Sequence, residues 1–503
     1  MNAKIKVFVL SVVTLSLTSC GMSGPEYGPG NKPYRSNDGY SRTPYDPPYS
    51  YKQTSSTKGN SNESEARYNP FVDVTPDNNT SNISLTSSTF SYPVVREAIS
   101  HYSIDNAKYA ARTEEMLNYF SYNYKNETTE ALTTFTELDK CPWNNSTYLA
   151  SVVVKGKPAE TANVKNNFVI LIDRSSSMRT VFNLVLTSLN TLIDKLGDDD
   201  LVSIVSYASN TKIEADGITG DKKAQLKTLV SNIQPSGSTF GEGGIEQAYN
   251  LANKHFIEGG NNRVVLLTDG DFNIGKVTGD ELINLIEQKA SNGIYLTCCG
   301  YRSFDNGTLF TLSEHGNGNA YYIDDEFEAK KVFDDEYGKA MFTIAKDTKC
   351  QIQFSPDAVR NYRLLGYEER QMSDVEFNDP NKDAGEIMSD HTTVALYELK
   401  LYPSYTSDYI FKTTLRYKDP VTNESKEVIT TKSDKTVSNQ ADFDFASYVA
   451  EYCMLLNDDI NMMNSSYPHL IGRINSDYTN DKYRQDFVNL VNKTYNVLRG
   501  IYE

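Results

Sequence analysis

The sequence predicts an α/β protein. A parallel sheet covered by helices on both faces is joined to a β-rich, sandwich-like domain and to C-terminal helices. Three observations predict this. Between Asn166 and about Ala345, short apolar runs alternate with segments of helical period, the pattern of strands linked by crossover helices. The run Phe168–Ile172 is apolar without interruption, as befits a strand buried on both faces. After Asp347 the period changes to two, and the apolar runs are parted by turn-rich loops.

The N-terminus reads as an address. Lys4 and Lys6 precede an apolar stretch that runs to Leu17 and ends in Leu17-Thr18-Ser19-Cys20. A basic start, a short apolar core and small residues before the cut make a secretory signal over 1–19, and the core is too short to span a bilayer. A cysteine directly after Leu-Thr-Ser resembles the lipobox of bacterial lipoproteins, which implies that Cys20 is lipidated and becomes the mature N-terminus. Several acyl chains would hold the protein firmly on a membrane, with the outer membrane of a bacterial envelope the expected place. Residues 20–68 are rich in Gly, Pro, Ser, Asn and Tyr without any period, and are expected to form a disordered tether. A coil of that length reaches on the order of 40 Å.

Residues 69–145 form an N-terminal flanking segment with two short helical patterns. Val94, Val95, Ala98 and Ile99 share one face, and Met116, Leu117 and Phe120 share another. The lone tryptophan, Trp143, precedes an apolar strand at Tyr148–Val154, within residues 146–165. Two arrangements fit this strand. It can belong to the β domain that follows Asp347, which makes the α/β unit an insertion, or it can pair only with residues before Asn166. Loop-closure entropy favours the second. The first is preferred, because so short and apolar a strand is marginal without a sheet.

Within 166–346, strands are expected at Phe168–Ile172, Leu201–Tyr207, Val264–Thr268, Ile294–Cys299 and Tyr321–Ile323. Val181, Val185, Leu189, Leu192 and Leu196 follow at helical spacing until Gly197 stops them. Further helices are expected around Ile245–Ala252, at Glu281–Ala290 and at Phe327–Ala345. The β-rich domain covers 347–440 and a helical segment covers 441–503, with Phe443–Leu456 and Tyr483–Leu498 amphipathic.

Lys and Arg total 49 against 66 Asp and Glu, a net charge of −17 over 503 residues. Such a chain is a poor partner for nucleic acid, which selects a basic face. Cys141, Cys298, Cys299, Cys350 and Cys453 show no CxxC pair, and neighbours in a strand point to opposite faces, so neither a disulfide framework nor a structural zinc is expected. The five histidines are scattered, with no H-E-x-x-H and no G-x-S-x-G. The loop GSTFGEGG lacks the lysine of a phosphate loop, and no nucleotide is expected.

Chemistry concentrates at strand ends. The first strand of the α/β unit runs into Asp173-x-Ser175-x-Ser177. Thr239 stands in GSTFGEGG, and Asp269 stands in VVLLTDG. Two carboxylates and three hydroxyls on three loops suit a hard divalent cation, Mg²⁺ or Mn²⁺, and can leave one position open. Ligand sites of such sheets lie at the carboxyl ends of the strands. Asp271 and Asn273 could orient a ligand water, or simply shape the turn. A second polar cluster, Asp383, Glu386, Asp390 and His391, reads as a solvated hairpin loop.

The set Asp173, Ser175, Ser177, Thr239 and Asp269 closely resembles the metal-ion-dependent adhesion site of von Willebrand factor type A domains, which have a Rossmann-like fold. TEEMLNYFSYNY at Thr113–Tyr124 is similar to the N-terminal segment of a bacterial subfamily. KDTKCQIQFSPDAVRNYRLLGYEER and DAGEI are similar to that subfamily's C-terminal domain of unknown function. The resemblance implies that Ser175, Ser177 and Thr239 coordinate directly, and Asp173 and Asp269 directly or through water. It also implies a non-enzymatic adhesion or assembly protein whose partner offers an Asp or Glu carboxylate. The family usually has glycine at the place of Ser176 and a small apolar residue at that of Arg174. A scaffold with a purely structural metal would keep its partner in chelator. A metal-dependent hydrolase would need a general base beside the cation, and the sequence names none.

Overall fold

A computed structural model of the chain describes residues 68–159, 164–238, 242–270, 279–301, 306–474 and 478–501. Cys20, Thr239, Asp271 and Asn273 lie outside the described residues, as do the leader and all but the last residue of the tether.

The α/β unit is built on a six-stranded sheet, counting described residues. Its order is Ala320–Tyr322, Ile294–Gly300, Asn261–Thr268, Asn166–Asp173, Leu201–Tyr207 and Thr211–Thr219. Neighbours run parallel except for the last pair, a hairpin. That last strand was not expected from the sequence. TKIEADGIT is polar because it is a half-exposed edge, where charged side chains guard an unpaired ladder. Alternation along the central strand assigns the two faces. Phe168, Ile170 and Ile172 pack with the helix Phe182–Lys195 and with Ala329, Val332 and Phe333 of the last helical stretch. Val169 and Leu171 pack with Ile245, Tyr249, Ile286 and Leu309 from helices on the other side. Cys298 and Cys299 fall on these opposite faces as buried thiols.

The flanking regions form two antiparallel sheets. One has the order Val72–Asp73, Val359–Leu365, Thr392–Leu401, Tyr148–Gly156 and Leu132–Lys140. The other runs Gln371–Met372, Thr80–Ser84, Thr343–Phe354, Phe411–Lys418 and Ser425–Lys432, with Gly385–Met388 also paired to Thr343–Phe354. Their facing residues share one core, in which Ala150, Val152 and Val154 meet Cys350, Ile352 and Phe354. The opposite side of the first sheet is also covered. Leu149, Val153, Val394 and Leu396 lie under Met116, Leu117, Val449, Tyr452 and Phe487 of the N- and C-terminal helices. Tyr148–Gly156 is apolar at nearly every position because both its faces are buried.

The α/β unit is inserted into this sandwich. Tyr148–Gly156 pairs with Thr392–Leu401 as well as with Leu132–Lys140, so the chain leaves one sheet at Gly156 and enters the other at Thr343. The two crossing points touch. Gly156 N donates to His391 O at 2.9 Å, and Ser389 N to Phe342 O at 2.7 Å. A Cβ on Gly156 would lie 2.8 Å from Ile344 Cδ1 and Met388 O, so glycine is required there. The unit is further held by Arg96, which bonds Asp324 at 2.5 Å, Glu328 at 3.1 Å and Asp486 at 3.1 Å.

Two expectations need correction. The helix expected over Phe327–Ala345 ends at Met341, after passing through a π turn at Lys331–Asp335. Phe342 is extended, and Ala345 already sits in the sandwich core, so tertiary burial overrides the helical period there. The cluster expected to be solvated is solvated only in part: Asp383 is exposed and Asp390, half-exposed, pairs with Lys155 at 2.6 Å, but Glu386 and His391 are only 6% and 7% exposed.

Burial, and then Asp383, Glu314 and Asp347, push the Glu386 carboxyl well above its ordinary value. The folded state thus holds this proton more tightly than the unfolded chain. The stability it contributes is present below the ordinary glutamate range and is lost as pH rises through the folded pKa. Glu386→Gln is therefore expected to leave urea stability unchanged near about pH 4 and to raise it at about pH 8. An equal shift at both pH values would contradict this assignment.

Candidate metal centre

The strand order explains where the centre forms. Successive strands depart to opposite sides of Asn166–Asp173, so a crevice opens at its carboxyl end, between the ends of Leu201–Tyr207 and Asn261–Thr268. Asp173 is the last residue of the central strand and is 0% exposed. Its Oδ1 accepts from Ser175 N at 2.8 Å, and its Oδ2 accepts from Thr268 Oγ1 at 3.0 Å. These bonds fix the carboxylate in one orientation. Burial pushes the Asp173 carboxyl above its ordinary value, and nearby Asp269 adds to the shift while the bonds from Ser175 and Thr268 oppose it.

After Asp173 the chain turns into a short 3₁₀ helix at Ser177–Thr180. Ser175 Oγ and Ser177 Oγ lie 2.9 Å apart, with Ser175 buried and Ser177 exposed. The turn is tied to its neighbours by the backbone. Arg174 N donates to Tyr207 O at 2.9 Å, Ser236 N to Arg174 O at 2.7 Å and Ser176 N to Gly237 O at 3.0 Å. Gly237 has φ +87° and a Cβ there would meet Ser209 Oγ at 2.6 Å, so this loop needs glycine to come so close. Asp269 follows the strand Asn261–Thr268 and is 8% exposed.

Of the residues singled out from sequence, Asp173, Ser175, Ser177 and Asp269 converge at this edge. Thr239, Asp271 and Asn273 lie outside the described residues. Among the described residues no three His, Cys, Asp or Glu side chains come together as a cage. A cation here would therefore be held by two carboxylates and by hydroxyls. The donor set fits a hard ion, because every atom in it is oxygen and the two carboxylates match a charge of two.

Sequence reasoning missed four contributors. Thr268 steers Asp173, and its hydroxyl also accepts from Gly270 N at 3.2 Å. The Tyr207 hydroxyl lies beneath the carboxylate, and burial, then Asp173, push its pKa well up. Both residues read as ordinary strand core. Ser236 and Asn210 accept from the Arg174 guanidinium at 3.0 and 2.6 Å, a contact no local pattern announces.

Two family profiles agree with this architecture. Residues 167–335 match the von Willebrand factor type A domain profile, and residues 58–151 match a profile described as von Willebrand factor. Residues 339–411 and 402–497 match the profile described as the C-terminal part of the uncharacterized protein YfbK. The uncharacterized protein YfbK of Escherichia coli is 34% identical over 357 residues, covering 68% of this chain. The aligned part spans 62% of that relative's length. Among solved structures, a von Willebrand factor type A protein from Catenulispora acidiphila is 15% identical, with 74% of this chain and 91% of that chain covered and a TM-score of 0.42. The ArnB paralog VWA2 from Sulfolobus acidocaldarius is 16% identical, with 74% and 100% covered and a TM-score of 0.34. The chain belongs to the von Willebrand factor type A family, its type A domain is a protein-interaction module, and its flanks are of the YfbK kind.

Proposed function

We propose that this is a membrane-anchored, extracytoplasmic binding protein that captures a partner through a divalent cation, Mg²⁺ or Mn²⁺. The observation that carries the reading is the buried, doubly bonded Asp173 carboxylate set behind the Ser175 and Ser177 hydroxyls at the strand switch point. When bound, the cation supplies a Lewis-acidic position for a carboxylate oxygen of the partner. The chain's own residues do the rest. Asp173 and Asp269 balance the charge, Ser175 and Ser177 offer neutral oxygens, and Thr268 and Ser175 N keep Asp173 from rotating. The role is binding rather than catalysis. Four of the histidines are engaged elsewhere: His255 with Asp216, His315 with Glu287, His469 with Glu451 and His101 with the Glu97 carbonyl. The fifth, His391, is buried in the sandwich.

Affinity capture of the mature protein from its own cells tests the reading, once in Mg²⁺ and once in EDTA. A partner recovered only in Mg²⁺ is expected. A partner held equally in EDTA would make the metal purely structural.

The anchor is proposed from the leader. Among described residues no helix is long and apolar enough to cross a membrane. Lipid on Cys20 is the attachment the sequence offers. Cys20→Ser is expected to leave precursor uncleaved and to move the protein out of the detergent phase. If the variant stays with membranes after a high-salt wash, the lipobox assignment is wrong.

A further inference from the structure

Arg174 occupies the residue between Asp173 and Ser175, on the rim of the candidate centre. Its guanidinium ties together two loops on the Leu201–Tyr207 side of the crevice, donating to Ser236 Oγ and to Asn210 Oδ1. Both acceptors are neutral. Among the described residues Arg174 makes no ion pair, although the chain carries 66 acidic side chains. Arg179, on the 3₁₀ turn that follows, is exposed and likewise makes no ion pair among them. The two bonds use two of the five guanidinium N–H groups and hold the plane in place. The rest remain for a ligand. The charge count points the same way. A divalent cation offsets Asp173 and Asp269, which leaves the Arg174 charge without a counterion among the described residues.

We propose that Arg174 is a second anion anchor beside the cation position, and that the partner segment presents two neighbouring carboxylates, one for each. The inference rests on the cation-dependent reading above and deepens it, from a partner with one acidic residue to a partner with an acidic pair. A planar fork fixed by neutral acceptors suits a carboxylate, because the bond is charge-assisted and the donor is already oriented. Arg174 is in this sense a specificity residue for the binding site rather than a cation ligand.

Two labelled, end-blocked peptides serve as probes, one with a single aspartate among glycines and one with two adjacent aspartates. Binding is read by fluorescence anisotropy in Mg²⁺ and in EDTA, and Mg²⁺ affinity alone is read by calorimetry. The two-aspartate peptide is expected to bind about tenfold more tightly in Mg²⁺. Arg174→Gln should remove that preference without weakening Mg²⁺ binding, which should hold or rise as a like charge leaves the cation's side, and without weakening the single-aspartate peptide. Arg174→Lys should restore only part of it, since it keeps charge but loses the fork. In EDTA the single-aspartate peptide should be lost, and a weakened, Arg174-dependent binding of the other should persist. Binding that ignores EDTA but still depends on Arg174 would overturn the cation reading and leave the anchor standing. Equal weakening of both peptides by Arg174→Gln, an undiminished preference, or no binding of either peptide to the parent protein would overturn the anchor.

Discussion

Asp173→Ala is expected to lower Mg²⁺ affinity by more than about 100-fold, beyond the loss that follows removal of an outer hydrogen-bond partner. The fold should survive. Two effects oppose each other in the metal-free protein. Alanine leaves Ser175 N and Thr268 Oγ1 without their acceptor, at a cost of about 1–3 kcal/mol for each buried donor that stays unsatisfied. It also removes a fully buried carboxylate that sits beside Asp269. The metal-free melting temperature should therefore stay near that of the parent, so a lost calorimetric signal reports the site and not unfolding. Equal Mg²⁺ binding by variant and parent would remove Asp173 from the centre.

Arg363→Met is expected to produce the largest loss of stability, about 3–5 kcal/mol. Arg363 is fully buried and bonds Glu398 at 2.7 Å, while its other terminal nitrogen reaches Asp459. Glu398, also fully buried, accepts in addition from Trp143 Nε1 at 3.3 Å, Asn144 Nδ2 at 2.7 Å and Thr147 Oγ1 at 2.7 Å. Removing the one cation strands two buried carboxylates, and that uncompensated charge is the cost. Denaturant unfolding measures it. A change below about 1 kcal/mol, the range of an exposed pair, would show that the network is not the clamp its geometry implies. The network joins a sandwich strand to the segments carrying Trp143 and Asp459, so the loss should appear in one cooperative transition.

The parts of the fold legible in the sequence are those whose pattern is local. Phe168–Ile172 reads as a doubly buried strand, and the periods through Val185–Leu196 and Tyr483–Leu498 read as helices, because burial of one face dictates them. Asp173 and Asp269 are legible as a pair because each stands at the end of such a run. The polar strands are not legible. Thr80–Ser84, TSNIS, gains its place only by pairing with Thr343–Phe354, which lies far along the chain. Leu132–Lys140 and Thr211–Thr219 carry too many charged residues for hydrophobicity to mark them. The same holds at the centre. Arg174 gains its meaning from Asn210 and Ser236, neither of which has a pattern of its own.

The adjacency of the two crossing points at Gly156 and Thr343 bears on the order of assembly. Closing an unstructured stretch of that length between the two sheets would cost about 4–5 kcal/mol in chain entropy. A type A unit that has already folded presents its two ends side by side and removes most of that cost. The last strands of the sandwich are made only after the whole insert has left the ribosome, since Thr392–Leu401 pairs with Tyr148–Gly156 across it. The insert thus acts as an internal checkpoint: a chain whose type A unit fails to fold must close its base against that added cost.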